Sequence, residues 1–339
     1  MPVRSGAWGA LLVLLVWGFG LTPGVANADC KLATVAEFHA DLSGGVPVVD
    51  GTINGQPIKI VVDAGSSKTL ITGAAARRLG LITTRLSGGT FAVGGDDRAS
   101  TTAVKELTID RLALSNITLG VAVEPGKPRG FDMLLGDDIL SQYDVEFDLA
   151  NGAIRLFESQ ACQPPQLVYW AKPYSQATLL SAARDDARIT ADVELNGHKM
   201  VAELDTGASE TIVETDEAGA AGVTRGSPGS EAAGRVHGIG PVVEESFAGK
   251  FSSFVFGDEK LANTRLLVAD FARSVEYTPT GSTLARPVLG APMMLIGDDF
   301  LRAHRVMVAN REHVILFSYN GGPVFTVAAP DVELASPPR

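Results

Sequence analysis

Two aspartates stand at the same place in two similar stretches: Asp63 in "IKIVVDAGSSKTLI" and Asp205 in "KMVAELDTGASETIV". Each follows an apolar run and precedes a small residue and a glycine. An aspartate at a strand end is ordinarily a turn residue or a helix cap. That account fits poorly here, because an apolar strand delivers each carboxylate inward. The chemistry open to such a pair is acid–base chemistry. Two carboxylates held about 3 Å apart cannot both ionise, so they share one proton. The ionised member is then a general base and the protonated member a general acid.

The elements that must position the pair are legible as an internal repeat. "VDGTINGQPIKIVV" precedes Asp63 and "ADVELNGHKMVAEL" precedes Asp205, with Asn54 and Asn196 each nine residues ahead of its aspartate. Asn-Gly between alternating segments is a hairpin signal, because both central residues need positive φ. Downstream, "MLLGDDILSQYDVEFDLANGAIRLF" from Met133 matches "MLIGDDFLRAHRVMVANREHVILF" from Met294. Each block reads as a strand ending at glycine, a short helix from Asp-Asp and a final hairpin. The aspartates are 205 − 63 = 142 residues apart and the glycines 297 − 136 = 161 apart, so the second unit carries about 19 extra residues. They are expected around "SVEYTPTGSTLARPVLGAP" as a surface loop. Asp137, Asp138, Asp298 and Asp299 are expected as turn residues or caps of the short helices. The repeat implies a mostly β chain of two similar lobes in which Asp63 and Asp205 converge. The lobes are expected over residues 29–163 and 181–326, with a linker at 164–180 and a loose tail at 327–339.

Composition narrows the rest. Of 339 residues, 45% are apolar and 20% charged, enough apolar content for a real core, and the net charge of −11 argues against nucleic acid and anionic membranes as partners. Arg4 is the single charge in residues 1–28, whose apolar run ends at the small-residue site Ala26-Asn27-Ala28. That is a secretory signal pattern. It implies export, to the periplasm in a Gram-negative cell and otherwise to the medium. The only two cysteines, Cys30 and Cys162, lie after it, and an oxidising compartment favours a bridge between them. The five histidines (39, 198, 237, 304 and 313) have no metal-binding spacing, so no metal or cofactor is expected. There is no Gly-x-Ser-x-Gly and no phosphate-loop lysine.

The paired motifs resemble those of the retropepsin-like and pepsin-like aspartic proteases. "LDTGAS" from Leu204 to Ser209 fits the retropepsin pattern closely, and "VDAGSS" from Val62 to Ser67 more loosely. The resemblance runs from about residue 45 to about 320 and repeats the upstream hairpin and the "LLG" or "LIG" block in both lobes. It implies the acid protease fold: two retropepsin-like β-barrel lobes, each with a short helix, giving one aspartate apiece to a shared dyad. It also implies an aspartic endopeptidase, a monomer with both lobes in one chain, acting on peptides or proteins. Water activated between Asp63 and Asp205 would attack the peptide carbonyl. Gly65 and Gly207 would let the two turns approach closely. Flap hairpins would carry Gly94 and Gly95 in one lobe and Gly238 and Gly240 in the other.

The first motif departs from the pattern at Ala64. In the family the Thr hydroxyl at this position bonds the opposite loop, and the two threonines lock the lobes together. Thr206 can do this and Ala64 cannot. Ser66, where the second lobe has Ala208, is expected to bond the outer oxygen of Asp63 and favour its ionised state, leaving the shared proton on Asp205. Ala64 also supports an alternative function: a catalytically inactive peptide-binding protein on the same scaffold.

Overall fold

The structure, a computed structural model, describes residues 29–92, 95–122, 130–180, 188–237, 243–271, 276–277, 286–287 and 293–327. The signal pattern, most of the extra loop and the tail from residue 328 lie outside them.

Strand β1 (Lys31–His39) leads into the first barrel. Its strands are β2 (Val48–Ile53), β3 (Gln56–Val62), β4 (Leu70–Thr72), β5 (Thr83–Ala92), β6 (Gly95–Ile109), β7 (Leu112–Ala122) and β8 (Met133–Leu135). Helices α1 (Gly73–Arg78) and α2 (Asp137–Leu140) accompany them, and β9 (Asp144–Asp148) and β10 (Ala153–Gln160) complete this half. After α3 (Pro164–Leu167) and β11 (Ser175–Thr178) the pattern repeats. The second barrel has β12 (Thr190–Leu195), β13 (His198–Leu204), β14 (Ile212–Glu214), α4 (Thr215–Ala220), β15 (Glu231–His237), β16 (Val243–Phe256) and β17 (Glu259–Ala269). The short pair β18 (Glu276–Tyr277) and β19 (Arg286–Pro287) falls within the insertion. Then come β20 (Met294–Ile296), α5 (Asp298–Ala303), β21 (His304–Ala309) and β22 (Val314–Tyr319).

Each barrel follows from its hairpin. Asn54 and Gly55 take φ 51 and 77, and Asn196 and Gly197 take φ 50 and 89, the left-handed turn that joins β2 to β3 and β12 to β13. The Asn54 side-chain oxygen accepts the amides of Lys105 and Glu106, and Asn196 accepts those of Ser252 and Ser253. The hairpin is thereby stitched to the long strand behind it. The first sheet runs β2-β3-β8-β4-β7-β6-β5 and closes through β2–β6; the second runs β12-β13-β20-β14-β17-β16-β15 and closes through β12–β16. The protein is mostly β with two similar lobes, as the repeat implies, and each lobe is a closed six-stranded barrel, the barrel architecture that the resemblance implies. Two short helices accompany each barrel where one was expected, because the turn after β4 or β14 is also helical.

A third sheet joins the lobes, in the order β1-β10-β9-β21-β22-β11. Its centre is the antiparallel pair β9–β21, with Glu146 opposite Met307. These two are repeat counterparts, since 307 − 146 = 161, the same offset as between the glycines. A residue paired with its own counterpart marks the local twofold axis. The final hairpins of the two units therefore serve the junction, a pairing between distant edges that no local pattern encodes. Segment 164–180, expected as a linker, is built into this junction. Leu167 and Val168 are buried against Phe157 of one half and Met307, Ala309 and Leu316 of the other, and β11 adds an edge strand to β22. The Cys30–Cys162 disulfide ties the start of β1 to the end of β10.

Candidate active site

Strands β3 and β13 carry the aspartates to matching places. Val62 lies parallel to Leu135, and the Asp63 amide donates to the Leu135 carbonyl at 2.9 Å. Leu204 lies parallel to Ile296, and the Asp205 amide donates to the Ile296 carbonyl, also at 2.9 Å. The apolar-apolar-Gly strand is thus the floor on which each aspartate rests.

The lobes bring the two carboxyl groups together. A Cβ on Gly207 would lie 2.5 Å from Asp63 Oδ1, and one on Gly65 would lie 2.7 Å from Asp205 Oδ2. Each aspartate therefore lies on the glycine of the opposite lobe, and no other residue fits there. The two side chains are hydrogen-bonded to each other. Residues 142 apart in the chain meet across the twofold axis, as the repeat implies.

Residues 49–142 match the family described as "gag-polyprotein putative aspartyl protease", and residues 191–300 match the "Aspartyl protease" family Asp_protease_2. The two matches lie in tandem, one on each barrel. The chain belongs to the retropepsin-like aspartic proteases. No curated protein matches it.

The electrostatics of this retropepsin-like site are asymmetric. Asp63 is buried and Asp205 half-buried. Burial, and then the neighbouring Asp205 charge, push Asp63 well above the usual carboxylate range; its Oδ1 accepts the Gly65 amide at 3.1 Å. Burial raises Asp205 as well. Against that, its Oδ1 accepts two amides, from Gly207 at 2.8 Å and Ala208 at 3.1 Å, and Asp63 donates to it. Hydrogen bonds to the charged form favour ionisation. The shared proton thus rests on Asp63 and the charge on Asp205, opposite to the sequence expectation. The reason lies in Ser66. Its hydroxyl donates to the Lys68 carbonyl at 2.7 Å and so holds its own loop instead of the Asp63 carboxyl.

The lock between the lobes is one-sided. The Thr206 hydroxyl donates to the Val62 carbonyl at 2.6 Å and accepts the Ala64 amide at 2.9 Å. Ala64 is fully buried at the matching place and has no hydroxyl to return the contact.

Sequence reasoning missed a second pair of anchors. The Thr69 hydroxyl donates to Asp138 Oδ1 at 2.6 Å and accepts the Gly136 amide at 3.1 Å. Thr211 does the same with Asp299 at 2.6 Å and Gly297 at 3.0 Å. The signal was present: each Thr stands six residues after its aspartate in both copies. Asp138 and Asp299 therefore hold the dyad loops. Asp137 and Asp298 each begin a short helix whose N-cap is a glycine, with no side-chain cap bond. They are fully buried and lie one residue inside the cap position, so neither acts as the helix cap that was expected.

Of the expected flap glycines, Gly94, Gly238 and Gly240 lie outside the described residues. Gly95 opens β6 opposite Ala92 in the β5–β6 hairpin. Among the described residues, no group of three or more His, Cys, Asp or Glu side chains could hold a metal ion.

Proposed function

We propose that this chain is an exported, single-chain aspartic endopeptidase whose dyad is Asp63 and Asp205. The observation that carries the reading is the mutual seating of each carboxyl on the opposite glycine, Asp63 on Gly207 and Asp205 on Gly65. Asp205, the ionised member, takes a proton from water. The hydroxide equivalent attacks the peptide carbonyl, and Asp63 donates its hydrogen bond to the carbonyl oxygen. The tetrahedral intermediate collapses when the leaving amine receives the proton held by Asp205. No covalent enzyme intermediate is needed. The signal pattern and the disulfide support export, to the periplasm of a Gram-negative cell or otherwise to the medium.

A second reading, an inactive peptide-binding protein, is favoured by Ala64. Incubation of residues 29–339 with a peptide library from pH 3 to 7 distinguishes the two. Cleavage is expected on the acid side of neutrality. It should vanish in both Asp63→Asn and Asp205→Asn, because an amide can fill neither role. Peptide capture without cleavage by the unaltered protein would favour the second reading, and full activity in either Asn variant would refute the dyad.

A further inference from the structure

Two carboxyl groups that the dyad does not use lie deeper than the dyad itself. Asp137 and Asp298 are repeat counterparts, each the first residue of a short helix, and both are fully buried. Among the described residues, none of their four carboxyl oxygens has a hydrogen-bond partner at ordinary distance, the nearest cation being Arg302, 3.6 Å from Asp298. The groups facing Asp137 are mostly acids: Glu203 on β13 of the second lobe, then Asp63 and Asp205. The Ile189 amide, also of the second lobe, faces it without completing a hydrogen bond. Glu203 is itself buried, with Arg188 3.8 Å away. Asp298 is faced by Asp205, Asp299 and one cation, Arg302, at 3.6 Å on its own helix. Arg302 also donates to the Leu42 carbonyl of the first lobe at 3.2 Å. A carboxylate with so few partners is heavily penalised in such a place, whereas the neutral acid is tolerated.

We propose that Asp137 and Asp298 form a pH-sensitive latch beneath the dyad, neutral acids that let the lobes close at low pH and charges that loosen the junction as pH rises. Asp137 places the effect at the junction, because it belongs to the first lobe and faces Glu203 and Ile189 of the second. Burial pushes Asp137 well above the usual carboxylate range and Asp298 up to about 9, with Arg302 opposing the latter only in part.

The direction follows from proton counting. The unfolded chain releases these protons near pH 4, and the folded chain keeps them longer. Between those points the native state binds more protons, so stability is highest in acid and falls as pH rises. Each group lowers the folding equilibrium constant about tenfold per pH unit in that window, and the pair about a hundredfold. For Asp298 the window closes at about 9.

Urea unfolding of the unaltered protein, Asp137→Asn, Asp298→Asn and the double variant between pH 5 and 8 tests the latch. The asparagine amide mimics the neutral acid and cannot ionise. The folding constant of the unaltered protein should fall steeply across this range. Each single variant should be flatter by about tenfold per pH unit and the double by about a hundredfold. Parallel pH profiles for the double variant and the unaltered protein would overturn the proposal. Should the variants not fold, infrared spectroscopy of the Asp63→Asn/Asp205→Asn double variant at pH 7 decides, since those changes remove both carboxyls of the dyad. A protonated-carboxyl band that disappears on unfolding supports the latch, and its absence overturns it. Neither readout involves peptide cleavage, so failure here would leave the proteolytic reading standing.

Discussion

Replacing Thr206 by valine removes one hydroxyl and almost nothing else. That hydroxyl is fully buried and serves two backbone groups of the other lobe, the Val62 carbonyl at 2.6 Å and the Ala64 amide at 2.9 Å. In a symmetric lock a second threonine would retain half of the contacts. Here Ala64 has none to offer, so both groups lose their partner at once. A buried group left unpaired costs about 1–3 kcal/mol, which puts Thr206→Val at about 2–6 kcal/mol with a centre near 4. Thr206→Ser keeps the hydroxyl and should cost only the lost methyl packing, about 1 kcal/mol. Ala64→Thr placed in the valine chain should return part of the loss from the other side, which a double-mutant cycle would register. Urea unfolding followed by circular dichroism measures these four proteins and Ala64→Thr alone, which closes the cycle. A loss below about 1 kcal/mol in Thr206→Val would refute the argument, because it would mean that the Val62 and Ala64 groups find other partners.

Gly65→Ala should abolish peptide hydrolysis and lower stability, because the new Cβ would overlap the Asp205 carboxyl and force the loops apart. Retention of full kcat would show that the loops separate freely. Glu146→Gln removes a buried charge on the twofold axis, where it meets Arg155 at 2.5 Å, Arg305 at 2.9 Å and the Tyr169 hydroxyl at 2.7 Å. Both arginines keep Asp148, so the expected loss is about 2–3 kcal/mol, less than for a pair broken outright. Chemical denaturation gives the value, and an unchanged midpoint would show that the axis is held by packing alone.

The repeat and its hairpins were written locally. Asn54-Gly55 and Asn196-Gly197 demand left-handed turns, and two apolar strands each end in an aspartate and then a glycine. Short-range sterics and burial suffice for these features, so the two lobes and the meeting of Asp63 with Asp205 could be read from residue types and spacing, while the barrel form of each lobe came only from the family resemblance. What the sequence could not carry depends on which groups become neighbours after folding. Ser66 has two acceptors within reach, and only the folded loop aims it at Lys68 instead of Asp63. The resting place of the proton follows from unequal burial and from the two amides aimed at Asp205, neither of which is a local property. Asp137 and Asp298 read as turn residues or helix caps in one dimension. They are buried because the halves of the chain close over them, edge to edge through β9 and β21. A charge's environment is set by everything packed around it, and at this junction half of that packing comes from the other lobe.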